Sequence, residues 1–180
     1  MSARFTAVLL GVGLLGVAGS AAAQTCSAPI PASTCTVNTT ASITIGSALQ
    51  LVLSGASTTL TTPTSTDYDA GFKDDAGPTA TVRGNVSWRL LISTTANTWT
   101  AAAYQGATPR ANKPSTDLTW TATAGASTTT FAASTTQRVA ASGTRTNGTV
   151  VTTALRTNYS WTLDAPGIYT LTLVYTLTSP

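Results

Sequence analysis

The chain contains no histidine and no glutamate, and only 8% of its residues are charged. The commonest general base and the commonest transition-metal ligand are therefore missing. Serine is abundant, but without histidine only Lys73 or Lys113 remains to activate it, and neither sits in a recognisable setting. The expectation is a protein that is not an enzyme and takes no cofactor. Basic residues are scattered singly, with no basic run interleaved with aromatics, which points away from nucleic acid. Cysteine is scarce too: Cys26 and Cys35 are the only pair.

Long apolar runs are confined to the N-terminus. Arg4 supplies a positive head, Ala7 to Ala18 an apolar stretch, and Ala21-Ala22-Ala23 the small residues that a signal peptidase needs. The stretch is too short for a span, which takes about 20 apolar residues. Residues 1–23 thus read as a cleaved signal peptide, with no membrane span after cleavage and a secreted, extracellular or cell-surface destination. Loss of Arg4 leaves eight basic residues against six aspartates in a mature chain of 157 residues. In an exported protein Cys26 and Cys35, with Pro29 and Pro31 between them, read as one disulfide closing an N-terminal loop over residues 24–36. Such a bridge contributes roughly 2–3 kcal/mol.

Threonine makes up 39 of the 157 mature residues. It is β-branched and offers a polar face without charge, so it suits the wet side of a sheet. Alternation supports strands rather than a glycosylated stalk. Tyr169, Leu171, Leu173, Tyr175 and Leu177 alternate with Thr170, Thr172, Val174, Thr176 and Thr178. Val86, Trp88, Leu90 and Ile92 form a second apolar face, Tyr159, Trp161 and Leu163 a third, and Leu49, Leu51 and Leu53 a fourth. Val37, Ile43 and Ile45 mark a weaker first strand, and Leu118 with Trp120 another. Residues 121–136 read as an edge strand or loose loop. Gly and Pro punctuate the intervals, and no stretch shows helical spacing with caps. The expected fold is all-β: a single antiparallel β-sandwich of Ig-like or Greek-key type over residues 37–180, with about seven to ten strands.

Candidate sites follow from residue type. Asp67, Asp69, Asp74 and Asp75 cluster in one segment with Gly71, a partial echo of a calcium loop, although no distal glutamate exists and Lys73 sits among them. Trp88 and Trp161 fall on apolar strand faces and read as core, whereas Trp99, Trp120 and Tyr104 are the candidates for a carbohydrate surface. Arg83, Arg89 and Arg156 project outward from strands. Asn38, Asn85, Asn147 and Asn158 stand in Asn-x-Ser/Thr sequons.

Trp88-Arg89-Leu90 and Trp161-Thr162-Leu163 are both Trp-x-Leu, and the chain closes with Gly167-Ile168-Tyr169 and a strand ending Tyr175-Thr176-Leu177-Thr178-Ser179-Pro180. From about Thr79 to Pro180 this resembles the WxL domain, a secreted β domain that associates non-covalently with bacterial cell walls. The final strand carries Tyr175-Thr176-Leu177 where that family has its second Trp-x-Leu. The closing strand after Gly167 also resembles fimbrial subunits of the chaperone–usher kind, which assemble by strand exchange; Cys35 to Ile45 would then be the donor segment. The resemblances imply cell-wall polysaccharide, peptidoglycan or sister surface subunits as partners. The expected function is a secreted, adhesive, threonine-rich module of a bacterial envelope, with a pilin-like subunit and a carbohydrate-binding module as alternatives.

Overall fold

The computed structural model describes Cys26, Ser27, residues 34–125 and residues 127–180. The signal-peptide reading and the prolines between the cysteines lie outside the described residues. Two compact units divide the chain, Met1–Thr44 and Ile45–Pro180. In the first, Cys26 and Cys35 form a disulfide with Cα atoms 5.9 Å apart. The second holds every strand found among the described residues.

The fold is an all-β sandwich. Its larger sheet is built around a 13-residue strand, β9 (Thr146–Asn158). On one side of β9 lie β3 (Ala80–Gly84) and then, further along, β2 (Phe72–Ala76); on the other lies β6 (Leu118–Ala124). β1 (Leu49–Leu53) extends the sheet beyond β3, and β7 (Ser127–Ala132) beyond β6. The facing sheet has the order β11 (Leu173–Thr178), β4 (Trp88–Thr94), β8 (Arg138–Gly143). A two-stranded piece pairs β5 (Thr100–Ala103) with β10 (Gly167–Thr170). Every pairing is antiparallel. The eleven strands among the described residues exceed the expected range because the closing alternation does not form one strand. It breaks at Leu171-Thr172, so that its first part joins β5 and its second joins β4.

Alternation places the core. Along β9, Val151, Thr153, Leu155 and Thr157 are buried while Thr152, Ala154, Arg156 and Asn158 face water. Trp88, Leu90 and Ile92 of β4 meet Val82, Leu118, Trp120 and Val151 from the larger sheet in one buried cluster. Two inward threonines lie among them, and Tyr175 donates from its hydroxyl to Thr153 Oγ1 at 3.3 Å. β7 is an edge strand, consistent with its low-complexity sequence.

Three expectations need correction. Val37, Ile43 and Ile45 form no strand: residues 34–48 have no regular structure, and all three side chains are exposed. The sandwich therefore starts at β1, later than residue 37, because the intervening residues are mostly threonine, serine and alanine with too few apolar anchors. A short helix, α1 (Ser65–Ala70), exists where none was expected. Thr64 donates its N–H and hydroxyl to Asp67 Oδ2 at 2.7 and 2.8 Å, which starts the helix. Gly71, at φ 80°, ends it, in a conformation costly for any side-chain-bearing residue. Finally, Trp161-Thr162-Leu163 is a turn and not a strand.

Candidate functional site

The end of β9, the start of β2 and α1 meet at one corner of the sandwich. Phe72 pairs with Asn158, and the Tyr159 N–H donates to the Gly71 carbonyl at 2.9 Å, so helix and strand end are tied together. From Tyr159 the chain turns back. The Asp164 N–H donates to the Ser160 carbonyl at 3.0 Å, and the Ser160 N–H donates to Asp164 Oδ2 at 2.9 Å. This reciprocal pair closes a tight loop with Trp161 at its outer edge.

Beneath the loop lies an ion network. Lys113 Nζ donates to Asp164 Oδ1, Asp117 Oδ2 and the Asn158 carbonyl at 2.9, 3.0 and 3.0 Å. Those three acceptors use all its protons. Arg110 reaches the same two carboxylates at 3.0 and 3.1 Å. The Tyr169 hydroxyl accepts from the Arg110 N–H at 2.9 Å and donates to the Ala165 carbonyl at 2.7 Å, fixing both ends of the network. Burial on its own would push the Asp164 carboxyl up, but the hydrogen bonds from Lys113 and Arg110 outweigh it and hold the group below its ordinary value. The hydrogen bond to Asp164 correspondingly raises the Arg110 guanidinium.

On this base stands an aromatic stack. Tyr159 and Tyr68 have ring centroids 5.4 Å apart, and Tyr68 stacks on Trp161 at 4.7 Å with 30° between planes. Trp161 Nε1 donates to Asp69 Oδ1 at 3.0 Å. Trp161 is nevertheless 61% exposed, with Leu163 exposed beside it. Burial raises the hydroxyl pKa of Tyr68 and of Tyr159, so both stay neutral phenols at physiological pH.

The expected ligand residues lie elsewhere. Trp120 is 1% and Trp99 7% exposed. Both are core, packed by the inward alternation of β6 and by the segment leading into β5, so neither offers a ring to a ligand. Tyr104 is exposed, in the turn after β5, and forms no shared face with them. Trp161, expected in the core, is the displayed tryptophan. Residue type alone missed Tyr68, Asp69 and Trp161 as a group. The available signal was Asp164-Ala165-Pro166-Gly167, which marks a turn directly after Trp161.

The calcium reading fails on geometry. Asp67 serves Thr64 and Lys73, Asp69 holds Trp161, Asp74 pairs with Arg156, and Asp75 accepts from the Thr61 N–H and hydroxyl. No two of these four carboxylates share a partner. Among the described residues no group of three or more acidic or cysteine side chains could hold a metal ion.

The same accounting leaves cations over. Arg83, Arg89, Arg138 and Arg145 are exposed, and none of them makes an ion pair among the described residues. Arg83 and Arg145 line an open groove of about 550 Å³ with Gln50, Asn85 and Asn147. Asn85 is part of its wall, accepting from the Ala48 N–H at 2.7 Å and donating to the Gly46 carbonyl at 2.8 Å. This groove flanks the start of β9, whereas the Trp161 corner lies at its end, so the two are separated by the length of a strand that spans at most about 40 Å. No protein-family model matches the chain, and no curated protein is significantly similar to it.

Proposed function

We propose that the chain is an exported, non-catalytic module of the cell surface that adheres to envelope polymers. The observation that carries this reading is the charge accounting: all six aspartates are engaged within the fold, whereas four exposed arginines have no carboxylate partner among the described residues. The outer surface is therefore threonine-rich, nearly neutral and locally cationic, suited to anionic wall or envelope polymers. The Trp-x-Leu resemblance and the disulfide agree with that setting.

The test is fractionation of the producing cells followed by salt elution of washed envelope fragments. The protein should sediment with the envelope, elute towards about 1 M salt, where charges are screened within about 3 Å, and bind less well as Arg83→Ser/Arg145→Ser. Recovery in the cytoplasm, or retention indifferent to salt and to both arginines, contradicts the proposal.

A second reading has its own support. Val37, Ile43 and Ile45 are exposed, share one parity and belong to no strand. A pilin-like subunit would insert such a segment into a neighbour's sheet. Concentration-dependent ladders that survive mild denaturant, and disappear in Ile43→Asp/Ile45→Asp, would favour it over the first reading.

A further inference from the structure

Leaving a tryptophan 61% exposed forgoes the burial of a large apolar ring, yet this one is held in place from three sides. Tyr68 covers one part of it at 4.7 Å, Asp69 fixes the indole N–H at 3.0 Å, and the Ser160–Asp164 turn fixes its backbone. The turn is in turn anchored by Asp164, only 4% exposed, to Lys113 and Arg110. A side chain left outside merely for want of room would not need this scaffold. A rigid, solvent-facing ring is a prepared contact surface, because the entropy of ordering it is already spent before a ligand arrives.

The size of the patch selects the ligand. Exposed parts of Trp161 and Leu163 amount to roughly 250 Å², taking large side chains at about 150–250 Å² each. A stable protein partner covers about 800 Å² per side. One sugar ring needs far less. The chemistry around the ring agrees. The ring is apolar, while its rim is polar: Asp69 keeps acceptor capacity beyond the one bond to the indole, and the hydroxyls of Ser160 and Thr162 stand 3.2 Å apart at the turn. A pyranose has the matching character, with C–H groups on its face and hydroxyls around its edge. With every ring hydroxyl equatorial, the gluco configuration presents an open C–H face on both sides, whereas an axial hydroxyl blocks one of them, and β-1,4 linkage turns successive rings over so that either face can meet the indole. The network below supplies no free carboxylate pair for acid–base work, since Asp164 and Asp117 both receive bonds from Lys113 and Arg110.

We propose that the Trp161–Tyr68–Asp69 corner binds a β-1,4-linked chain of glucose or N-acetylglucosamine by stacking one pyranose on the Trp161 ring. This names a partner for the adhesive surface module proposed above and rests on that reading, but uses a different part of the molecule from the arginine groove.

Affinity electrophoresis of the mature protein in native gels containing hydroxyethyl cellulose or glycol chitin tests it. Wild type should be retarded by at least one of the two polymers. Trp161→Ala should bind roughly tenfold more weakly or worse, Trp161→Phe should retain part of the retardation, and both should keep a cooperative unfolding transition, since the ring lies outside the core. Absence of retardation of wild type by both polymers overturns the proposal. So does equal retardation of Trp161→Ala. Salt-sensitive retention of Trp161→Ala on envelope fragments separates the two readings: if it persists while glycan binding is lost, both stand. If wild type stacks on glycan but never sediments with the envelope, the sugar site stands and the surface reading falls.

Discussion

Lys113 Nζ lies 2.9 Å from Asp164 Oδ1, and the two side chains are only 3% and 4% exposed. A buried pair of this kind is costly to break on one side, because the remaining charge stays in a poorly solvated place. Asp164→Ala leaves Lys113 and Arg110 sharing the single carboxylate of Asp117 and also releases the Ser160 N–H. It should cost about 3–5 kcal/mol in urea unfolding, with Asp164→Asn falling between it and wild type. A loss no larger than that of an ordinary surface substitution would show that the network does not anchor the corner.

Acid should weaken the fold in a defined window. Asp67 is held down to about 2 from 3.8 by hydrogen bonds from the Thr64 backbone, Lys73 and the Thr64 hydroxyl. Asp74 is lowered chiefly by its bond to Arg156, and Asp164 is lowered despite burial. A carboxyl with a depressed folded pKa stabilises the fold above its unfolded value and ceases to do so as pH falls through the folded one. The urea midpoint should be flat above about pH 5 and drop between roughly pH 4 and 2. Asp67→Asn and Asp164→Asn should each flatten part of that drop.

Arg156 and Asp74 have the same chemistry in another setting. They form a two-pronged pair at 2.7 and 2.8 Å, with the guanidinium 3.9 Å above the Phe72 ring, but both side chains are about half exposed. Solvent screens such a pair. Asp74→Asn should leave the neutral-pH urea midpoint nearly unchanged, in contrast to Asp164→Asn.

Gly143 faces Trp88 across the β4–β8 pairing. A methyl group there would meet the indole at 2.9–3.1 Å, closer than the buried ring can concede without moving. Gly143→Ala should therefore destabilise by about 1–3 kcal/mol, read as a lower thermal midpoint together with a shifted Trp fluorescence maximum.

The strands that could be read from residue order are those with one buried face and one wet face. β4, β6 and β11 show their apolar sides as Trp88-Leu90-Ile92, Leu118-Trp120 and Leu173-Tyr175-Leu177, and all of these pack on the core. Tyr159, Trp161 and Leu163 follow the same rule over only five residues, too few to distinguish a strand from a turn that happens to alternate. The break at Thr172 was hidden for the opposite reason, since both halves keep the period while changing partner strands. Helix α1 is too short for periodicity to register, and its mark was the Thr64–Asp67 spacing alone. The corner itself was illegible because its members are far apart in the chain: Asp69 and Trp161 are 92 residues apart. Only the pairing of β2 with β9 brings them together.

Acrylamide quenching of tryptophan fluorescence tests most directly whether the fold presents Trp161 outward. Three of the four tryptophans, Trp88, Trp99 and Trp120, are buried. Wild type should show one accessible emitter against a protected background, and Trp161→Phe should lose that accessible fraction while keeping the protected one. Quenching unchanged in Trp161→Phe would place the exposed indole elsewhere and contradict the account.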